Sequence, residues 1–241
     1  MRVGIDDTDS PRGGCTTWVL TELVRVARRH RLDLLGEPRL VRLNPNVPWK
    51  TRGNAALAMR VGHGIGPPGT VGELDGQPVL AYARGREVRI EAAQPFLDDA
   101  WKAVCSAAPR ERGTDPALVA VDGPLPASIY WDAVRERLTV GPVEHLLRRA
   151  GARLRTRSGR RGIIGAAAAI AWPGRRVTWE LIAYREPARV GTPRVVDRAS
   201  VVAAQRHHPE LFLCDDPRTR RLLVAPHTGC PILFGLRGTS P

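Results

Sequence analysis

The sequence predicts a mixed α/β (α+β) chain in two domains, residues 1–124 and 125–241. Short apolar runs of strand length alternate with longer amphipathic stripes from the first residues onward. In the first half the order is strand, helix, strand, strand, helix, strand. The 241 residues, 43% of them hydrophobic, suffice to bury a core without disulfide staples.

The run RVGID reads as a buried strand that ends at an acidic loop, DTDSPRGG, rich in turn formers. In CTTWVLTELVRVARRHR, Val19, Leu20, Leu23, Val24 and Ala27 form a helical stripe, with Arg28, Arg29 and Arg31 near the C-terminus, where cations suit the dipole. PRLVRLNPN and NAALAMRVG are the next two strand candidates, with the polar loop PWKTRGN between them. GHGIGPPGTVGELDGQP, dense in Gly and Pro, reads as a loop excursion. EAAQPFLDDAWKAVCSAAP supplies a second helix and ALVAVDG a strand. This is the ferredoxin-like order, expected for residues 1–124. After DGPLP, helices are expected within IYWDAVRERL and GPVEHLLRRAGA, and strands in IIGAAAAIAW and VTWELIAYR. SVVAAQRHHPELF reads as helical, RLLVAP and ILFGLRG as short strand-like runs, and no internal repeat stands out.

No apolar run is long enough to span a bilayer and the N-terminus is not that of a cleavable signal, so the expectation is a soluble cytoplasmic protein. Cys15, Cys105, Cys214 and Cys230 contain no C-x-x-C pair, which argues against a disulfide framework or a zinc ribbon. The formal charge of +13 points to a polyanionic partner, most simply nucleic acid. Nearly all of it is arginine, a bias that a GC-rich genome also produces; only Lys50 and Lys102 are lysines. The densest basic stretch is LLRRAGARLRTRSGRR, Arg148 to Arg161, which alternatively is only a solvated helix end and loop.

Asp6, Asp7 and Asp9 follow the first strand directly. Two carboxylates about 4 Å apart at an effective dielectric near 20 repel by roughly 4 kcal/mol, so such a cluster needs protonation, splaying or a cation. Metal binding by all three is one reading; turn and cap chemistry is the other. The KTRGN loop offers Lys50 and Arg52 to phosphate oxygens and also ends a strand, so the two loops could meet on one ligand. Mg²⁺ suits such a site because it retains water and substrate phosphates beside one or two protein carboxylates. Thr16 or Thr17 stands ready for phosphate or for an N-cap. In SGRRGIIGA, glycines surround Arg160 and Arg161 and would allow backbone to approach an anion. Asp115 either joins the acidic set or starts a turn. His207 and His208 read as a surface loop, and His227 beside Cys230 falls short of a zinc site. No Walker A, G-x-S-x-G or Ser-His-Asp pattern is present.

Taken together, GIDDTDSPRGGCTTW, PRLVRLNPNVPWKTRGN, RGTDPALV, RRGIIGA, WELIAYR and PHTGCPILFGLRG resemble the archaeal isoleucine-tRNA 2-agmatinylcytidine synthetase family, in family order over nearly the whole chain, from residue 4 to residue 238. The resemblance implies an ATP-dependent ligase that phosphorylates the C2 oxygen of the wobble cytidine and replaces it with agmatine. It implies Asp6, Asp7 and Asp9 as metal and phosphoryl-transfer carboxylates, and Lys50 and Arg52 as phosphate clamps. Arg161, Gly162 and Gly165 become nucleotide-loop residues beside Asp115, and Thr16 the autophosphorylated threonine of the C-T-T motif. ATP and Mg²⁺ are the implied cofactors, tRNA and agmatine or another primary amine the partners. The family's kinase-like and ferredoxin-like domains are followed by an OB-fold and a zinc ribbon, and FGLRGTSP stands about where the OB-fold should begin. A separate RNA-binding subunit, or an ATP-dependent kinase or amine ligase acting on a small molecule, is therefore the alternative expectation.

Overall fold

The computed structural model describes residues 1–10, 14–51, 54–75, 77–111, 113–174, 180–184, 195–196, 214–215, 222–223 and 230–239. The first half contains β1 (Arg2–Asp6), α1 (Thr16–Arg29), β2 (Asp33–Leu35), β3 (Arg39–Arg42), β4 (Ala55–Ile65), β5 (Gly69–Leu74), β6 (Gln77–Tyr82), β7 (Arg84–Glu87), α2 (Gln94–Ala107) and β8 (Ala117–Val121). Then come α3 (Ala127–Arg135), α4 (Val140–Arg149), β9 (Arg153–Thr156), α5 (Gly162–Ala171) and β10 (Glu180–Tyr184). The last strands are β11 (Val195–Val196), β12 (Cys214–Asp215), β13 (Leu222–Leu223) and β14 (Cys230–Thr239).

The run RVGID becomes the centre of the main sheet, because both of its faces are covered. It pairs antiparallel with β4 on one side and β8 on the other, and β3 and β9 extend the sheet outward. Period-two alternation then sorts side chains between two layers. Val3, Ile5, Leu57, Met59, Leu118 and Ala120 pack with α1 and α2, while Ala56, Ala58, Ala117, Val119 and Val121 pack with α3, α4 and α5. The result is three layers, helices on both sides of one sheet.

The mixed α/β class is found, but the ferredoxin-like order is not confirmed. Three strands, β5 to β7, stand between β4 and α2 where that order has none. The Gly- and Pro-rich stretch read as a loop, residues 62–78, holds the end of β4, all of β5 and the start of β6. β4 continues to Ile65, turns through Gly66 at φ +85°, and β5 and β6 pair as an antiparallel hairpin. There the turn residues punctuate strands rather than replace them.

IIGAAAAIAW, expected as a strand, is helix α5, with nine of its ten residues buried. An unbroken apolar run carries no periodicity to separate the two readings, and alanine is the best helix former. Small side chains let α5 lie close on the sheet. At Gly4 a Cβ would stand 2.2 Å from the Ala166 carbonyl oxygen, so only glycine fits β1 there. The stretch read as a solvated helix end and loop also contains β9, an edge strand whose Arg153 and Arg155 discourage further pairing. The main sheet thus runs past residue 124. Arg157, just beyond β9, donates to the carbonyls of Cys105, Ala108 and Pro109 at 2.9, 3.2 and 2.7 Å, which closes the open C-terminal end of α2.

At the other edge, β14 pairs antiparallel with β3 and β11 and parallel with β5 and β10, and β12 pairs with β13. VTWELIAYR and ILFGLRG thus supply strands as expected. The expected helix SVVAAQRHHPELF, with His207 and His208, and also His227, lie outside the described residues. Among the described residues no helix is long and apolar enough to cross a membrane, and Cys15 and Cys105 are free thiols.

Candidate active site

The cleft opens where β1 ends. After Asp6 the backbone turns through Asp7 at φ +56°, a left-handed conformation that aspartate tolerates better than most residues. A bridge between Asp9 and Gly14 folds the loop back on itself. Ser10 Oγ donates to Glu111 Oε2 at 2.9 Å and Thr114 Oγ1 to the Asp9 carbonyl at 3.4 Å, tying this loop to the one that enters β8. The acidic loop is thereby anchored between α1 and β8.

Asp6, Asp7, Asp9, Lys50, Arg161 and Gly165 line one cleft with Trp49, Thr51, Asn54 and Glu136, and Leu43, Val47, Leu138 and Ile164 form apolar wall. The expected meeting of the acidic and lysine-bearing loops is seen. Burial, then the neighbouring Asp7 and Asp9, raises the Asp6 carboxyl well above the ordinary carboxylate range. Gly165 in the first turn of α5 makes that position possible, since a Cβ there would lie 1.9 Å from Asp6 Oδ2.

Asp7 is also raised by burial, against the opposing pull of Arg161. Arg161 Nε and Nη2 both donate to Asp7 Oδ2, at 3.0 and 2.6 Å, and Nη2 donates to the Gly113 carbonyl at 2.9 Å. Its guanidinium carbon lies 5.8 Å from the centre of the Trp49 ring, within cation–π range. Lys50 Nζ donates to the Pro45 carbonyl of its own loop.

Three sequence-predicted residues are not in the cleft lining. Asp115 is taken up by structure: Ser158 Oγ donates to its Oδ1 at 3.1 Å and the Arg161 backbone N–H to its Oδ2 at 2.6 Å. It thus caps the entry to α5 from another element. Gly162 serves packing, since a Cβ there would meet the Asp115 carbonyl oxygen at 2.6 Å. RRGIIGA is therefore a helix start, not a free loop. Thr16 is the buried first residue of α1; the N-cap is Cys15, which makes no side-chain cap bond, so neither Thr16 nor Thr17 caps the helix. Cys15 Sγ and Thr17 Oγ1 instead contact each other at 2.9 Å. Arg52, with Gly53, lies outside the described residues.

Among the described residues no group of three or more His, Cys, Asp or Glu is arranged to hold a metal ion. The donor set still suits a hard cation, because a carboxyl buried among like charges is stabilised by positive charge. The Thr8 hydroxyl, fully buried in the same loop, has no hydrogen-bond partner among the described residues. Trp49 and Glu136 were missed from sequence. An aromatic beside one of only two lysines was a usable signal for Trp49, whereas Glu136 looks like any helix-end carboxylate.

Fold and cleft define a three-layer α/β protein with a buried acidic cleft edged by basic side chains. The chain belongs to the TiaS family: the family model of the TiaS TCKD domain matches residues 2–157 and that of the TiaS FLD domain residues 160–241. The isoleucine-tRNA 2-agmatinylcytidine synthetase TiaS of Thermoplasma volcanium is 36% identical over 241 residues, covering 99% of this chain and 53% of that protein. The synthetase of Pyrococcus horikoshii is 31% identical over 249 residues, covering 99% and 51%. Among solved structures, the complex of TiaS with its isoleucine tRNA and ATP superposes with a TM-score of 0.67 at 30% identity, covering 99% of this chain and 52% of that one. The complex of TiaS with the same tRNA, AMPCPP and agmatine gives 0.64 at 28% identity, covering 99% and 53%. The chain spans about half the length of the curated relatives it matches.

Proposed function

We propose that this chain carries the phosphoryl-transfer site of an ATP-dependent ligase that joins agmatine to the wobble cytidine of an isoleucine tRNA, the activity named for its relatives. The observation that carries the reading is the convergence of Asp6, Asp7 and Asp9 with Lys50 and Arg161 in one cleft. The C2 oxygen of cytidine is a poor leaving group until phosphorylated, after which a primary amine displaces it as phosphate. Such chemistry needs little covalent help from protein; it needs phosphates positioned and their charge neutralised.

The chain's own groups divide that work. Lys50 turns from the Pro45 carbonyl to a phosphate oxygen, with Arg52 assigned beside it. Arg161 keeps Asp7 paired and presents its remaining N–H donors to the cleft. The first-turn N–H groups of α1, which have no side-chain cap, face the same loop, so anionic oxygens suit its end. Thr16 at that end is assigned as the phosphoryl acceptor. Asp115 and Gly162 belong to the nucleotide site as positioning groups, holding Arg161 and the start of α5. Asp6 and Asp9, with Asp7 where Arg161 releases it, would hold Mg²⁺, which when bound neutralises charge gathered on the phosphates. A division into two domains is kept, with the boundary moved from residue 124 to between residues 157 and 160, because β9 extends the main sheet to Thr156 and the two family models divide there; a cytoplasmic location is part of the same reading.

The test is nucleotide turnover by the purified chain with Mg²⁺, without addition, with agmatine, with tRNA, and with both, products resolved as ADP or AMP. Turnover raised only by tRNA and agmatine together, and lost in Asp6→Asn, is the expected result. Turnover indifferent to RNA would instead favour a small-molecule substrate. Tight tRNA binding without turnover would point to a missing partner subunit, and the absence of both tRNA binding and turnover under every condition would sink the proposal.

A further inference from the structure

A second pocket lies at the opposite end of β1 from the acidic cleft, lined by Arg2, Arg39 and Arg60 with Glu37, Ala58 and Ala169. The register explains the convergence. Arg2 stands opposite Arg60 across β1 and β4, and Arg39 of β3 stands opposite Ala58, two residues before Arg60 on the same face. Three guanidinium groups from three adjacent strands therefore project on one side of the sheet, beside the last turn of α5. Ala58 and Ala169 are too small to cover them.

These cations are under-compensated. One carboxylate, Glu87, answers Arg60 at 2.9 Å, Arg2 at 3.4 Å and the Met1 amino group at 3.1 Å. Arg39 forms no ion pair among the described residues and lies over the Trp172 ring, 5.0 Å from its centre. Burial, then Arg60 and Arg2, disfavour its charge, and Glu37 offsets this in part. The C-terminal dipole of α5 is the structural reason for positive charge here, but it amounts to only about half an elementary charge and is shared among three guanidiniums. Gathering three half-buried arginines for that purpose alone is poor use of them.

We propose that the Arg2–Arg39–Arg60 pocket binds a phosphate group. A guanidinium fork matches phosphate geometry, and a phosphate would supply the missing negative charge. β1 connects this pocket to the cleft: Arg2 and Asp6 are separated by four residues, about 13 Å at roughly 3.3 Å per residue. A backbone phosphate of a nucleic-acid strand reaching into the cleft could therefore rest here, as could a free phosphate.

The experiment measures binding of a fluorescent single-stranded oligoribonucleotide by anisotropy across a salt series, with no nucleotide triphosphate or amine present. The outcome is thus independent of the cleft's chemistry. A parallel thermal-shift titration with inorganic phosphate separates the two sources. Arg39→Gln should weaken oligonucleotide binding about five- to tenfold and reduce the salt slope by about one. Arg84→Gln, on exposed β7, should leave both unchanged. Loss of the phosphate-induced thermal shift in Arg39→Gln with intact RNA binding would assign the pocket to free phosphate. Unchanged values in both assays would overturn the proposal. Arg39→Lys, which keeps charge and stem but loses the fork, gives the same reading if the glutamine variant fails to fold.

Discussion

Asp6 is shaped by a residue that has no side chain. Gly165 leaves the space in which the carboxylate sits, and a single methyl group would intrude to 1.9 Å of Oδ2. In an exposed helix, Gly→Ala gains about 1 kcal/mol of helix stability. In Gly165→Ala that gain is opposed by a clash with a group that burial and like charges already disfavour. The carboxylate has one way to yield, outward into the cleft. The expected outcome is a melting temperature within a few degrees of wild type together with at least a tenfold loss of turnover, roughly 1.4 kcal/mol of transition-state stabilisation. A combined thermal melt and kinetic assay checks it, and unchanged turnover would remove Asp6 from the reacting centre.

At the scale of elements, α5 decides whether the cleft exists. Asp115 holds its entry through Ser158 and the Arg161 N–H, so the guanidinium that pairs with Asp7 depends on a carboxylate outside the cleft lining. Asp115→Ala should cost about 1–2 kcal/mol in chemical denaturation and also lower turnover. Asp115→Asn, which keeps one oxygen acceptor, should fall between that variant and wild type. An effect on stability with none on turnover would show that Arg161 can be placed without the cap. The helix itself illustrates what sequence could and could not tell. The acidic loop, the loop of Lys50 and helix α1 were legible because each announces itself locally, by charge, by turn residues or by a periodic stripe. Helix α5 was not, since a uniformly buried alanine run has no exposed face to set a period. The roles of Asp115 and Gly162 were illegible for another reason: they arise from contacts between segments 46 residues apart and from an inter-element approach. Strand β5 and the start of β6 were hidden by glycines and prolines that mark turns and strand edges alike.

Across the whole molecule, the net charge of +13 makes every well-placed carboxylate count, because self-repulsion opposes the compact state. Glu87 is the clearest case. Burial pushes its carboxyl up, but the Met1 amino group, Arg60 and Arg2 outweigh that and leave it below its ordinary value. A depressed folded-state value means that its stabilisation is fully present above the ordinary carboxylate range and is lost as pH falls through the folded value. Glu87→Gln should therefore cost about 1–2 kcal/mol at neutral pH, allowing for screening of a carboxylate that is one-fifth exposed. The difference from wild type should close when urea unfolding is repeated below the folded value, where both side chains are neutral. Added salt should narrow the gap at neutral pH for the same reason. The substitution also releases Arg2 and Arg60 from their shared anion. If their pocket binds phosphate, Glu87→Gln must bind the oligoribonucleotide more tightly than wild type by several-fold while being the less stable protein. Arginines that merely partner Glu87 would give the lower stability and no gain in affinity.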